Sequence, residues 1–290
     1  MAKKELRKKF MNNFQNNIEQ SVSFIKKQTT LLPKIAVVLG SGLGDFAENL
    51  SHKKIIDTHD IPNYPLSTVE GHKGKLIFGK QNSVSLLAFQ GRVHFYESGN
   101  IEKTLYPIHV AHLLGIKTLL VTNAAGGINK NFSAGDLMLI ADQINLTFQN
   151  PLFANTLLSA EKINIRATSH PFYDNSLCSI AEKIALQEKI KLQKGVYVGV
   201  TGPTYETASE IQMFKKMGAD AVGMSTVNEV ALANYYGMKV VGFSCITNLA
   251  TGISPTKLSH EEVTETGNRV KKIFAKLIST FIQELSNKKK

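Results

Sequence analysis

The feature that most constrains this chain is an alternation. Seven short apolar runs, "KIAVVL", "KLIFG", "VSLLAF", "KTLLVT", "DLMLIA", "GVYVGVTG" and "KVVGFSCIT", are separated in several places by stretches of helical length such as "TLYPIHVAHLLGI", "ETASEIQMFKKMG" and "NEVALANYY". Runs so short and so continuously apolar suit strands buried on both faces. Strands interleaved with helices predict an α/β domain around a central sheet. Phe10, Phe14, Ile18 and Val22 recur every four residues and predict an amphipathic N-terminal helix within residues 1–30. "HEEVTETGNRVKKIFAKLISTFIQEL" predicts one long C-terminal helix over 260–286. No Pro/Gly/Ser-rich linker, internal repeat or low-complexity run divides the 290 residues. We therefore expect a single α/β domain over 1–290, with a central mixed β-sheet flanked by helices.

Charge narrows the class of partner. The formal net charge is +11, but residues 1–10 hold five bases against one acid and residues 281–290 three against one, so the rest of the chain is only mildly basic. Without basic residues interleaved with aromatics, a helix-turn-helix signature or finger spacing, the ends read as solvated tails and no nucleic-acid partner is expected. The remaining excess suits a small anionic substrate. Cys178 and Cys245 stand far apart with no C-x-x-C and no neighbouring His, which predicts two packed thiols in a reducing compartment and no structural zinc. His109 and His112, three apart in a helical pattern, read as packed side chains and not as metal ligands. The basic N-terminus is followed by "MNNFQNNIEQ" in place of an apolar segment, and no apolar run reaches 18 residues, so we expect a soluble, cytoplasmic protein with no membrane span.

In sheets of this kind, polar residues just past a strand's C-terminal end line the crevice where ligands sit. Four apolar runs end in such text: "VVLGSGLG", "AFQGRVHFYE", "LLVTNAAGG" and "CITNLATG". The first carries Gly40, Gly42 and Gly44, one residue short of the dinucleotide fingerprint G-x-G-x-x-G. Asp45 stands where the third glycine belongs and would turn an anion toward a pyrophosphate, although Asp57 is available as an acidic partner further on. Three readings stay open: a dinucleotide loop, a tight turn after a buried strand, and a loop whose exposed N–H groups hold a smaller anion.

"GRVHFYE" sets Arg92, His94 and Tyr96 at alternate positions, so an extended segment would present all three on one face. The planar fork of Arg92 matches two phosphate oxygens. The competing reading is a surface arginine beside a packed aromatic pair; the position directly after an apolar strand favours the anion. In "VTGPTYETASE", Gly202 and Pro203 fix a turn, and Tyr205 and Glu206 project just before a helix that Thr207 or Ser209 caps. Glu206 alone would be only a helix-dipole partner. "VGMSTV" lacks the second glycine of a nucleophile elbow, so Ser225 is not read as a hydrolase nucleophile.

Taken in order, "VVLGSGLG", "GHKGKLIFG", "QGRVHFYE", "VTNAAGGIN", "TGPTYET", "GADAVGMSTVNE", "ITNLATG" and "LSHEEV" resemble one family, the trimeric 6-oxopurine type of purine nucleoside phosphorylase. Any one of these motifs is weak; eight in order, from Val37 to Val263, are not. The resemblance implies a nucleoside phosphorylase-like fold and a pentosyltransferase that cleaves inosine, guanosine and their deoxy forms with phosphate, to free purine and (deoxy)ribose 1-phosphate. It implies phosphate held by Ser41, His72, Arg92, His94, the backbone N–H of Ala124, and Ser225. Ribose would lie against Tyr96, Tyr205 and Met224, with His260 near its 5′-hydroxyl, and the purine would be read by Glu206 and Asn248. It further implies a homotrimer and no cofactor, inorganic phosphate being the co-substrate. One region departs from the family: in "INIRATSHPFYD" only Tyr173 and Asp174 match, and Arg166 stands where the family places a phenylalanine that reaches a neighbouring subunit. The alternatives are a methylthioadenosine phosphorylase of the same fold, a dinucleotide-dependent oxidoreductase built on Gly40 to Gly44, and a non-catalytic purine-binding protein.

Overall fold

Strands form where the apolar runs predict them. The computed structural model describes residues 2–40, 44–68, 74–152, 171–254 and 260–287. β1 (Ile35–Leu39) is buried at every position, as a central strand must be. It is followed by β2 (Ser51–Asp57), β3 (Lys75–Gln81), β4 (Val84–Gln90), β5 (Thr118–Gly127), β6 (Leu137–Asn145), β7 (Leu192–Gly199), β8 (Ala221–Gly223) and β9 (Lys239–Leu249). The helices are α1 (Ala2–Gln28), α2 (Asp45–Glu48), α3 (Phe95–Ser98), α4 (Ile101–Leu113), α5 (Asn175–Gln187), α6 (Ala208–Lys216), α7 (Val227–Tyr235) and α8 (His260–Asn287).

The strands join in one mixed sheet, in the order β2-β3-β4-β1-β5-β8-β7-β6-β9. β9 also returns to pair in parallel with β5, so β5, β8, β7, β6 and β9 close on themselves. Nothing in the apolar pattern announced this closure, because period and burial are the same in an open and a closed sheet. α1, α4 and α7 pack in sequence, while α8 packs on β9 and α5. The face that α8 buries carries Phe274 and Phe281, both edge-on to Phe243 of β9.

One break in pairing makes the site. β1 runs beside β5 only from Ile35 opposite Thr118 to Val38 opposite Val121, and β8 takes up the same side of β5 only at Gly126 and Gly127. Between them, residues 122–125 of β5 have no strand on that side among the described residues. The polar strand ends gather at this gap, which is where a sheet opens to a ligand. Gly40, at the end of β1, sits so close to β5 that a Cβ would come within 2.7 Å of Asn123 Cα and 2.8 Å of the Thr122 carbonyl oxygen. The first glycine of the opening loop thus lets two backbones approach.

Several elements escaped the sequence pattern, the short helices α2 and α3 among them. β2 is exposed at every position but Ile56, pairs antiparallel with β3 only, and so shows no apolar run. β8 has three residues and α5 follows a stretch with no strand signal before it. One expectation is corrected: residues 92–96 are not a continuous extended segment, because α3 begins at Phe95 and puts Tyr96 on a helix. The cause is Glu97, whose carboxylate accepts the backbone N–H of His94 and closes the first turn.

Candidate active site

The strand ends and the loop after β7 enclose an open cleft of about 750 Å³, its mouth included. Arg92, His94, Ala124, Tyr205, Glu206, Met224, Ser225 and Asn248, all singled out from the sequence, line it. Ser41, His72 and Arg166 lie outside the described residues, as does the side chain of His260, whose backbone opens α8.

Part of the lining is built to hold an anion. Arg92 is 4% exposed, which for a guanidinium demands a partner. Its Nε donates to Glu229 Oε1 at 3.1 Å and its Nη1 to Ser225 Oγ at 3.0 Å. Thus two donors implied for phosphate, from the ends of β4 and β8, already touch. His94 stacks on Tyr96, the ring centroids 4.9 Å apart and the planes at 14°, so the two rings share a face even though the backbone between them turns helical. His94 Nδ1 lies 3.2 Å from Glu97 Oε1. Burial pushes the Glu97 carboxyl up, but hydrogen bonds from the backbone of His94 and from the N–H and hydroxyl of Thr68 outweigh it and hold the group below the usual carboxylate range. Gly40, Asn123 and Ala124 line the cleft with them.

The lining also carries an acceptor, Glu206, and an amide, Asn248. Thr207 caps α6, accepting the backbone N–H of Glu210 at 3.2 Å while Glu210 accepts that of Thr207 at 2.7 Å; this box fixes the chain just before the helix and with it Glu206. Burial pushes the Glu206 carboxyl above its usual value, and nearby Glu210 adds to the shift. Asn248, 5% exposed at the end of β9, accepts from Thr247 Oγ1 at 2.9 Å through its Oδ1 and donates through Nδ2 to the Leu249 carbonyl at 3.1 Å. Met224 and Tyr205 line the cleft as well; Tyr96 is not in its lining but stacks on His94, which is. Tyr96's phenol is raised by burial first and then by Glu97 and Tyr205.

Sequence reasoning missed five members of this cluster. Glu229, Glu97, Asn123, Thr226 and Thr247 were read only as text within motifs. For Glu229 a signal existed: "TVNE" has the T-x-x-E spacing of a helix N-terminus. His109 is buried and its Nδ1 lies 2.7 Å from the Tyr236 hydroxyl, while His112 stacks on the Tyr236 ring at 3.9 Å. Both are packing residues, and neither lines the cleft. Tyr173 and Asp174, the two matched positions of the divergent region, serve the fold. The Tyr173 hydroxyl donates to Gln143 Oε1 at 3.0 Å and Asp174 caps α5.

Comparison with known proteins agrees with this geometry. Residues 34–283 match the family described as the phosphorylase superfamily. Purine nucleoside phosphorylase 1 of Bacillus subtilis is 47% identical over 93% of this chain and 98% of its own length. A crystal structure of a Schistosoma purine nucleoside phosphorylase with hypoxanthine superposes with a TM-score of 0.84 at 35% identity, covering 93% of this chain and 97% of that one. The Schistosoma mansoni enzyme with adenosine gives 0.82 at the same identity and coverage. The chain belongs to the phosphorylase superfamily and, within it, to the purine nucleoside phosphorylases. It is accordingly a pentosyltransferase, and its glycine-rich first turn belongs to a phosphorylase and not to a dinucleotide enzyme.

Proposed function

We propose that this enzyme catalyses the reversible phosphorolysis of inosine, guanosine and their deoxy forms, giving hypoxanthine or guanine and (deoxy)ribose 1-phosphate, with inorganic phosphate as its one co-substrate. The observation that carries the reading is the polarity of the cleft. A buried guanidinium meets a serine hydroxyl in its lining, and the same lining carries a carboxylate and an amide.

In this reading Arg92, Ser225, His94 and the Ala124 N–H hold the phosphate, together with Ser41 and His72. Tyr96, Tyr205 and Met224 bear on the ribose, with His260 at its 5′-hydroxyl. A phosphate oxygen attacks C1′ as the C1′–N9 bond breaks. The bonding pair leaves with the purine, which takes up a proton, and positive character on the sugar is met by the phosphate dianion beneath it. No protein nucleophile is required; the work is orientation and preorganised electrostatics. Glu206 accepts from purine N1–H, and Asn248 meets N7 and O6, where charge grows as the base departs. The enzyme acts as a homotrimer in the cytoplasm and needs no nucleic acid or membrane; light scattering giving a monomeric or hexameric mass would refute the trimer.

The test is direct. Inosine is incubated with the protein with and without inorganic phosphate, and hypoxanthine and ribose 1-phosphate are followed. Release of both products only in the presence of phosphate supports the reading; equal hypoxanthine release without phosphate overturns it.

A further inference from the structure

Thr226, between Ser225 and α7, has φ +76° and ψ −56°, and the Val227 N–H bonds back to the Ser225 carbonyl at 2.9 Å. This is a γ-turn of the rare, strained kind. A β-branched residue in that conformation persists only where its surroundings over-determine it. Here they do. The Thr226 hydroxyl accepts from Asn123 Nδ2 at 2.9 Å and lies 3.1 Å from Ser225 Oγ, while its backbone N–H donates to Glu229 Oε2 at 3.1 Å. The other oxygen of the same carboxylate receives Arg92 Nε. Glu229 is 2% exposed, so neither bond competes with water.

We propose that Glu229 is a positioning residue for phosphate. One buried carboxylate ties the Arg92 guanidinium to the strained turn that aims Ser225, so that both donors converge before the anion arrives. The inference rests on the phosphate role given above to Arg92 and Ser225. It demands a carboxylate in particular. Glu229 accepts on both oxygens, whereas a carboxamide offers one acceptor and turns an N–H₂ toward either Arg92 or Thr226. The neighbouring structure makes a purely local helix cap an incomplete account, because a cap needs the Thr226 N–H alone and leaves the contact to Arg92 unexplained.

Glu229→Gln tests it, with KM for phosphate, KM for inosine at saturating phosphate, and melting temperature measured on the same preparation. The expected result is a phosphate KM raised at least ~10-fold with the inosine KM within twofold, in a protein that still melts cooperatively. A phosphate KM within twofold of wild type, or equal rises in both constants, overturns the proposal and leaves Glu229 a structural cap. Thr226→Gly guards against a variant that does not fold, since glycine adopts this backbone without strain. It removes what makes the turn rigid and is expected to raise the phosphate KM at least ~3-fold with the inosine KM unchanged; no change in either overturns the proposal. Wild type run alongside separates the two layers: inosine cleavage independent of phosphate sinks the function itself, whereas a phosphate-dependent wild type with unaffected variants sinks only the brace.

Discussion

Gly202 packs so tightly on Met224 that a Cβ built on it would lie 2.4 Å from the Met224 sulfur and 3.1 Å from a ring carbon of Tyr96. Its φ is +68°, so the position requires glycine twice, by conformation and by space. The contact seats the loop that carries Tyr205 and Glu206 against Met224 and Tyr96, two of the side chains assigned to the ribose. Gly202→Ala is therefore predicted to move the loop before it disturbs the strand ends: the inosine KM should rise at least ~10-fold, about 1.4 kcal/mol, with the phosphate KM moving less. Steady-state kinetics varying each substrate in turn check this, and a larger effect on phosphate would contradict it.

Glu97 gives a pH prediction of definite sign. Its folded-state pKa lies below the ordinary value, so its contribution to stability is present above the ordinary glutamate range and is lost as pH falls through the lower folded value. Glu97→Gln should melt below wild type at neutral pH, and the gap should close under acid. The loss should be accompanied by a higher phosphate KM, since a carboxamide has one acceptor oxygen for the two sets of donors, from His94 and from Thr68, that the carboxylate serves with two. A melting gap that is constant from pH 7 down to acid would show that the ionised form is not what matters.

Glu206 has the opposite sign. Burial raises its pKa, so what it contributes to stability is fully present below the ordinary value and is lost as pH rises through the raised one. The ionised group is needed for the purine and is a burden to the empty cleft. Glu206→Gln is expected to leave the ligand-free protein at least as stable as wild type at neutral pH. It should lower kcat/KM for inosine by ~10- to 100-fold, the worth of a charged hydrogen bond of about 1.5–3 kcal/mol. Calorimetry and kinetics at pH 7 check both halves. A destabilised variant would contradict the first, and unchanged kcat/KM would remove Glu206 from base recognition.

What was legible in the sequence follows from how local each signal is. A buried strand announces itself in its own five residues, so β1 could be found. Gly40 could be seen as special, but the reason, the backbone of Asn123 at 2.7 Å from its missing Cβ, is a contact across more than 80 positions. The same distance hides Glu229, whose spacing from Thr226 marks a helix start and whose tie to Arg92 crosses 137 residues. β2 was invisible because an edge strand with one buried residue has no apolar alternation to show. The face shared by Arg92, His94 and Tyr96 was expected from an extended backbone. What the fold provides is the stacking of His94 on Tyr96 across a helix start, with Arg92 turned inward to Glu229.

In the proposed reaction Asn248 decides which purines are turned over. Its Oδ1 accepts from the Thr247 hydroxyl and its Nδ2 donates to the Leu249 carbonyl, which together fix the amide, and the second N–H of Nδ2 is the one assigned to the base. Hypoxanthine and guanine carry N–H at N1 and a carbonyl at C6, so Glu206 accepts from the first and the amide donates to O6 or N7. Adenine reverses both signs: its N1 lone pair faces the carboxylate, and its amino group faces a donor. Each unsatisfied buried group costs about 1–3 kcal/mol, so two mismatches predict adenosine turned over at least ~100-fold less efficiently than inosine, at tenfold per 1.36 kcal/mol. Asn248→Asp keeps an oxygen for Thr247 to donate to and replaces the amide donor with an acceptor. It should raise adenosine relative to inosine. Turnover, and not binding, is the measurement that decides, with kcat/KM for both nucleosides taken on both proteins. An unchanged ratio would leave Asn248 as no more than a strand-end hydrogen-bonding group, and comparable wild-type rates on the two nucleosides would remove the 6-oxopurine assignment.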